Sequence, residues 1–264
     1  LEGTTISPEV TLEHLLTQTS GIADDADEEA GEDYAALFVD KPNYSIRNCT
    51  DFLPQFAYKP PNFAPGADVR YNNCAFVLLG LAIEAVTGMG YRAYVERYIF
   101  EPAGMVNARF CAMDGINPNT AEGYIQDEEA GDSAPAWKKN IYAYPPIGTA
   151  DGGAYVSVGD LDIFVRAILD NRLLSPQYGA LMLRPHCEHT RLARYGTWRT
   201  GYGFEFIEQN GAVRCLFKDG MNSGAEAMCA YYPQEDITVS LLSNQNGALF
   251  GLNRKISALI LGEG

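Results

Sequence analysis

Four short runs near the end of the chain constrain its fold most. "GFEFIEQ" (203–209), "AVRCLF" (212–217), "AEAMCAYYP" (225–233) and "DITVSLLSN" (236–244) alternate or are rich in β-formers, and Gly, Asn and Asp separate them. Such a series reads as an antiparallel meander. A helix over about 249–261 follows, with Leu252, Ile256, Leu259 and Ile260 spaced to face the sheet. The first two hundred residues read as mostly helical and loop-rich. The expectation is therefore an α+β chain, a helical subdomain (1–200) followed by an antiparallel sheet with a covering helix (201–264), together one continuous domain.

Within the helical part, Thr11 is placed to cap a short helix, "LEHLLTQ", with Gly21 suited to the stop after it. "DDADEEAGED" (24–33) carries seven acids in ten residues. A calcium loop starting at Asp25 would need glycine where Ala30 stands, so the segment reads as a solvated loop. Residues 43–66, broken by Pro54, Pro60, Pro61 and Pro65, read as an irregular connection. Cys74 to Val86 is apolar around most of a helix, with Glu84 its one charge, and is expected to be fully buried. A second helix from Tyr91 to Phe100 should stop before Pro102. Residues 106–150 lack periodicity and read as loops. Ser157, with Asp160 three residues on, caps the next helix, and Ser175–Pro176 opens another.

Nineteen basic against 34 acidic residues give a net charge of −15, which repels nucleic-acid backbones and anionic lipid surfaces. No run approaches the about 18 apolar residues of a membrane-spanning helix. The compartment is left open. Six scattered cysteines, with no C-x-x-C, read as free thiols. "HCEH" (186–189) has no further clustered ligands and reads as a loop rather than a zinc site; no metal or cofactor is implied.

Two residues carry candidate chemistry. Tyr71, in "RYNNC" before the buried helix, is either a core tyrosine satisfied by its neighbours or, beside a cation, a proton acceptor. Lys218, in "LFKDGMNSG", runs into Gly220, where a bound group could approach the backbone closely.

The order of these landmarks resembles the serine β-lactamase and penicillin-binding-protein superfamily, in particular its class C-like β-lactamase and esterase branch. "TLEHLLTQTSGI", "APGADVRYNNCAFVLLGLAIEAVTG", "YVERYIFEPAGM", "ADGGAYVSVGDLDIFVRAIL" and "FKDGMNSGAEAMCAYYPQEDITVSLLSNQ" resemble, in series, that branch's landmarks over nearly the whole chain. The resemblance implies a serine hydrolase performing acyl transfer on an ester, amide or β-lactam. In it Tyr71 is the proton shuttle, and Asn73 binds the substrate amide and positions a neighbouring lysine. Lys218 holds the substrate carboxylate and keeps the tyrosine's proton affinity low, and Met221, one past Gly220, supplies an oxyanion-hole N–H. Asp219 departs from the family's hydroxyl or small residue, against classical penicillin recognition.

A second departure concerns the nucleophile, which the family carries in Ser-x-x-Lys. None of the ten serines here has lysine three residues on. Two expectations follow. In one, the chain is an inactive part of a longer hydrolase whose leading strands and Ser-x-x-Lys helix are missing. In the other, it is a non-catalytic pseudoenzyme that binds peptide or peptidoglycan fragments. The partners expected are a small-molecule or peptide substrate, and either a second copy or the missing N-terminal segment at an open sheet edge; nucleic acid and membrane contact are not.

Overall fold

The computed structural model describes residues 1–32, 34–39, 41–127, 136–192, 196–247 and 249–262. Ser133 and Asp33 fall outside them. Helices α1 (Leu12–Leu16), α2 (Cys49–Phe56) and α3 (Asn73–Thr87) form the first body. They close on one apolar cluster that joins Leu15 and Ile22 to Phe52, Phe56, Val77 and Leu78.

α2 lies in the stretch expected to be irregular. Its start is signalled by "NCTD": the Asn48 carbonyl accepts from the Asp51 N–H at 3.0 Å, and Asp51 Oδ2 accepts from Asn48 N–H at 2.8 Å. Pro54 is tolerated inside this two-turn helix because burial of Cys49, Phe52 and Phe56 outweighs one lost backbone bond. α3 spans the expected range, closed by Gly88 at φ 67°. Its burial is one-ended, however. Cys74, Ala75, Val77, Leu78 and Gly80 are buried, whereas Val86 is 87% exposed.

The next helix does not stop before Pro102. α4 (Tyr91–Val95) runs through a π-turn, Glu96–Phe100, into α5 (Glu101–Ala103). Pro102 lies in the last turn of this continuous run, just after the π-turn, and Gly104 at φ 86° ends the helix. The region expected to be loops contains one small hairpin, β1 (Tyr124–Gln126) with β2 (Trp137–Lys139). α6 (Val158–Leu169) starts at the Ser157–Asp160 capping box, and α7 (Pro176–Met182) at Ser175.

β3 (Cys187–Leu192), β4 (Gly196–Thr200), β5 (Glu205–Gln209), β6 (Ala212–Asn222), β7 (Ala225–Tyr232) and β8 (Ile237–Ser243) form one antiparallel sheet in chain order. The last four are the expected meander. β3 and β4 add an edge at which "HCEH" enters a strand instead of a loop. α6 covers one face, packing Val165 and Ile168 on Phe206, Leu216 and Tyr231. α8 (Leu249–Leu261) covers the other through Ile260 and Leu261, against Cys215, Ala230 and Tyr232. Leu252 and Leu259 do not join that contact; Leu259 is 78% exposed. All six cysteines are free thiols. Among the described residues no single helix is long and apolar enough to cross a membrane.

Candidate active site

The acidic segment is solvated only in part: residues 29–32 are exposed, as expected, but its start is not. Asp24, Asp25 and Ala26 are buried, and Asp27 and Glu29 after them hold the Tyr-Asn segment in place. Asp24 Oδ2 accepts the Asn73 N–H at 2.8 Å and its Oδ1 the Cys74 N–H at 3.0 Å, so a carboxylate sits at the positive end of α3. Asp27 pairs with Arg70 at 2.7 Å, and Glu29 Oε1 accepts the Tyr71 N–H at 3.0 Å. Asn72 is the helix N-cap. Its Oδ1 accepts Ala75 N–H at 2.6 Å while its Nδ2 donates to Ile22 O at 3.0 Å. Composition alone could not reveal this, because a run of acids looks the same paired or solvated.

These bonds aim two side chains. The Tyr71 hydroxyl donates to Asn73 Oδ1 at 3.0 Å. Above the ring, 4.8 Å from its centroid, lies Lys218 Nζ. Lys218 follows Leu216 by two residues on β6, so it leaves the sheet on the face that α6 covers. Residues 147 positions apart in sequence thus meet as a phenol, an amide and an ammonium.

The lysine has a second partner that sequence reasoning missed. Glu205, at the start of β5 and 9% exposed, accepts from Lys218 Nζ at 2.7 Å. Burial works to lower the Lys218 pKa, but the charges of Tyr71, Glu205 and Asp219 outweigh it and hold the ammonium above its ordinary value. Asp219 is pushed up by burial and by Glu205. No motif marks Glu205, which is one of two acids inside the predicted strand 203–209.

β6 outruns β5. The pairing with β5 begins at Glu205↔Phe217, so Lys218 to Asn222 pair with β7 alone. Gly220 and Met221 lie on this open edge, the former with no heavy atom within 4 Å of where a Cβ would stand, the latter 64% exposed. The expected residues are therefore assembled as Tyr71, Asn73 and Lys218 in contact, with Gly220 and Met221 further along the same strand.

Two other features lie apart from this chemistry. A cleft of about 470 Å³ between Ile6, Val10, Ile22, Phe56, Lys59 and Phe63 includes none of the site residues. Asp24, Asp25 and Cys74 bring their ligand atoms within 4.8 Å of one another. Both Asp24 oxygens already take helix amides, however, and burial together with the Asp24 charge pushes Asp25 up to about 8, so it is protonated at neutral pH. That donor set suits a helix cap better than a cation.

Comparison with known proteins identifies the family. The "Beta-lactamase" family model matches residues 3–261. The putative penicillin-binding protein PbpX of Bacillus subtilis (strain 168) is 27% identical over 256 residues, 95% of this chain and 56% of its own length. Esterase EstB of Burkholderia gladioli is 33% identical over 108 residues, 40% of this chain and 27% of its own. The crystal structure of a penicillin-binding protein from Bacillus halodurans superposes with a TM-score of 0.88 at 37% identity, over 96% of this chain and 74% of that one. The chain thus spans about half, or less, of the length of these two curated relatives. With the helical body, the antiparallel sheet and a family match over nearly every residue, the chain belongs to the β-lactamase family of serine hydrolases.

Proposed function

We propose that these residues form the proton-transfer and oxyanion half of an acyl-transfer site for an ester, amide or β-lactam. Tyr71 shuttles the proton and Lys218, by its charge over the ring, makes the phenolate accessible. Asn73 takes the substrate amide, and Met221 on the open edge of β6 offers its N–H to the developing oxyanion. The observation that carries this reading is the convergence of Lys218 Nζ, 4.8 Å above the Tyr71 ring, with the Tyr71 hydroxyl bonded to Asn73. A core tyrosine would need no ammonium there, since burying a charge beside it is costly.

The nucleophile is not among these residues, because no serine has the lysine that would share its helical face. In this account a Ser-x-x-Lys segment outside the 264 residues completes the site, and the chain alone does not turn over. The experiment is to extend the reading frame upstream of Leu1 and compare labelling by fluorescent penicillin and fluorophosphonate. Labelling of the extended protein at a Ser-x-x-Lys serine supports the reading. An extended frame without that motif favours instead a non-catalytic protein that binds peptide or peptidoglycan fragments.

A further inference from the structure

Lys218 stands where β6 has lost its neighbour. The pairing with β5 begins at Glu205↔Phe217, so no β5 residue faces the lysine, and its flexible four-carbon stem lies beside an open edge. Ordering such a side chain opposes its rotamer entropy. Two contacts hold it: Glu205 Oε1 accepts from Nζ at 2.7 Å, and the Tyr71 ring lies 4.8 Å from the same nitrogen. A ring attracts an ammonium less than a hydrogen-bonded carboxylate does, so Glu205 is the stronger anchor.

Glu205 is itself firmly placed. It lies between Phe204 and Phe206, 5% and 0% exposed, which pack with Val165 and Ile168 of α6. Its second oxygen, Oε2, is buried with no hydrogen-bond partner among the described residues. A buried carboxylate that served the fold alone would have donors on both oxygens. Here the one donor is Lys218, and each charge answers the other.

The ring feels the two charges together. An ammonium alone at this distance would favour the phenolate strongly; with a carboxylate 2.7 Å from it, the pair favours the phenolate much less. The other charged groups around Tyr71 are tied elsewhere. Glu29 takes the Tyr71 N–H, with His189 Nε2 3.7 Å from the same oxygen, and Asp27 pairs with Arg70. Asp219 follows Lys218 directly, and strand alternation sends its side chain to the opposite face of β6.

We propose that Glu205 is a positioning residue of this site: its carboxylate holds the Lys218 ammonium over the Tyr71 ring, and its charge sets the pH at which Tyr71 gives up its proton. The resting hydroxyl thus stays protonated and donates to Asn73 Oδ1, at 3.0 Å. The proposal rests on the acyl-transfer reading of Tyr71, Asn73 and Lys218, and it names what governs the proton affinity of the shuttle.

The test is made on the 264-residue chain and needs no turnover. Tyrosine isotopically labelled at Cζ reports phenol ionisation by NMR, and of sixteen signals the one lost in Tyr71→Phe is that of Tyr71. The Lys218 Cε protons report position through the ring-current shift that Tyr71 imposes on them, and Lys218→Met identifies them. Glu205→Gln keeps an acceptor but removes the charge. The Tyr71 midpoint should then fall by about one pH unit, a tenfold rise in phenolate at a given lower pH, while the Lys218 signals stay shifted. Glu205→Asp keeps the charge but withdraws it by one methylene, so the Lys218 signals should lose much of their ring-current shift. An unchanged Tyr71 midpoint in Glu205→Gln, or unchanged Lys218 signals in Glu205→Asp, overturns the proposal and leaves the acyl-transfer reading standing. The aspartate variant decides alone if the glutamine variant does not fold. In Lys218→Met the Tyr71 midpoint should rise. If it stays at the parental value, the ammonium does not act on the phenol; the reading of the site falls, and the proposal with it.

Discussion

Asp24 and Asn73 are 49 residues apart in the chain, and the carboxylate of one holds the backbone N–H of the other at 2.8 Å. This bond, with its neighbour to Cys74, fixes where α3 begins and therefore where Tyr71 and Asn73 point. Charge-assisted bonds to helix amides are worth more than neutral ones. Asp24→Ala should lower stability by about 2–4 kcal/mol, and Asp24→Asn, which keeps one acceptor, by less. Urea midpoints of the two variants check the order. Equal midpoints for Asp24→Ala and the parent would mean that the cap does not set α3.

Stability should fall as the pH rises through the neutral range. Burial and the Asp24 charge raise Asp25 from 3.8 to about 8, and burial raises Asp151 to about 6. The native state therefore keeps protons that the unfolded chain has lost. Each group's contribution is complete below about pH 4 and is lost up to about pH 6 for Asp151 and about pH 8 for Asp25, at about 1.4 kcal/mol per pH unit per proton at most. Asp25→Asn should flatten the profile between pH 6 and 8. Thermal melts at half-unit steps read this directly, and a parent whose stability rises over that interval contradicts it.

Gly21 marks the turn that carries the chain from α1 into the acidic segment. It holds φ at 67°, and a Cβ there would come within 2.1 Å of Phe63 O. Gly21→Ala should cost at least about 3 kcal/mol, since backbone strain and a clash with main chain add. Gly104→Ala is the control. Its φ of 86° is also left-handed, but nothing lies within 4 Å of its Cβ position, so the cost should be only about 1–2 kcal/mol. Similar losses in both variants would show that the Phe63 contact is unimportant.

What the sequence made legible follows the range of each signal. The meander, the Ser157 cap, α7 and the closing helix depend on local periodicity and caps, and they stand where expected. Helix α2 was hidden because Pro54 outweighs a two-turn periodicity on paper, whereas burial of Phe52 and Phe56 decides it in space. Tyr71, Asn73 and Lys218 could be named from motif order, since each sits at the mouth of a recognisable element. Glu205, Asp24, Asp27 and Glu29 could not, because they pair with residues far along the chain. The exposed Leu252 and Leu259 had the right spacing for a buried stripe, yet α8 rolls so that Ile260 and Leu261 meet the sheet instead.

Lys218 and Tyr71 make a prediction that turnover does not obscure. In the protein extended upstream of Leu1, Tyr71→Phe should reduce the rate of acylation by about 10²–10⁴. The same change in the 264-residue chain should alter stability by less than about 1 kcal/mol, since the ring remains beneath the ammonium. Stopped-flow labelling and urea titration separate the two effects. A variant labelled at the parental rate would remove Tyr71 from the chemistry.

The central claim is that this chain holds the proton-transfer residues of an acyl-transfer site without the serine they serve. Intact-protein mass spectrometry after incubation with a fluorophosphonate and with benzylpenicillin tests it most directly. The account predicts an unmodified mass for the 264-residue chain under both reagents. A stoichiometric adduct mapped to any one of its ten serines would contradict it.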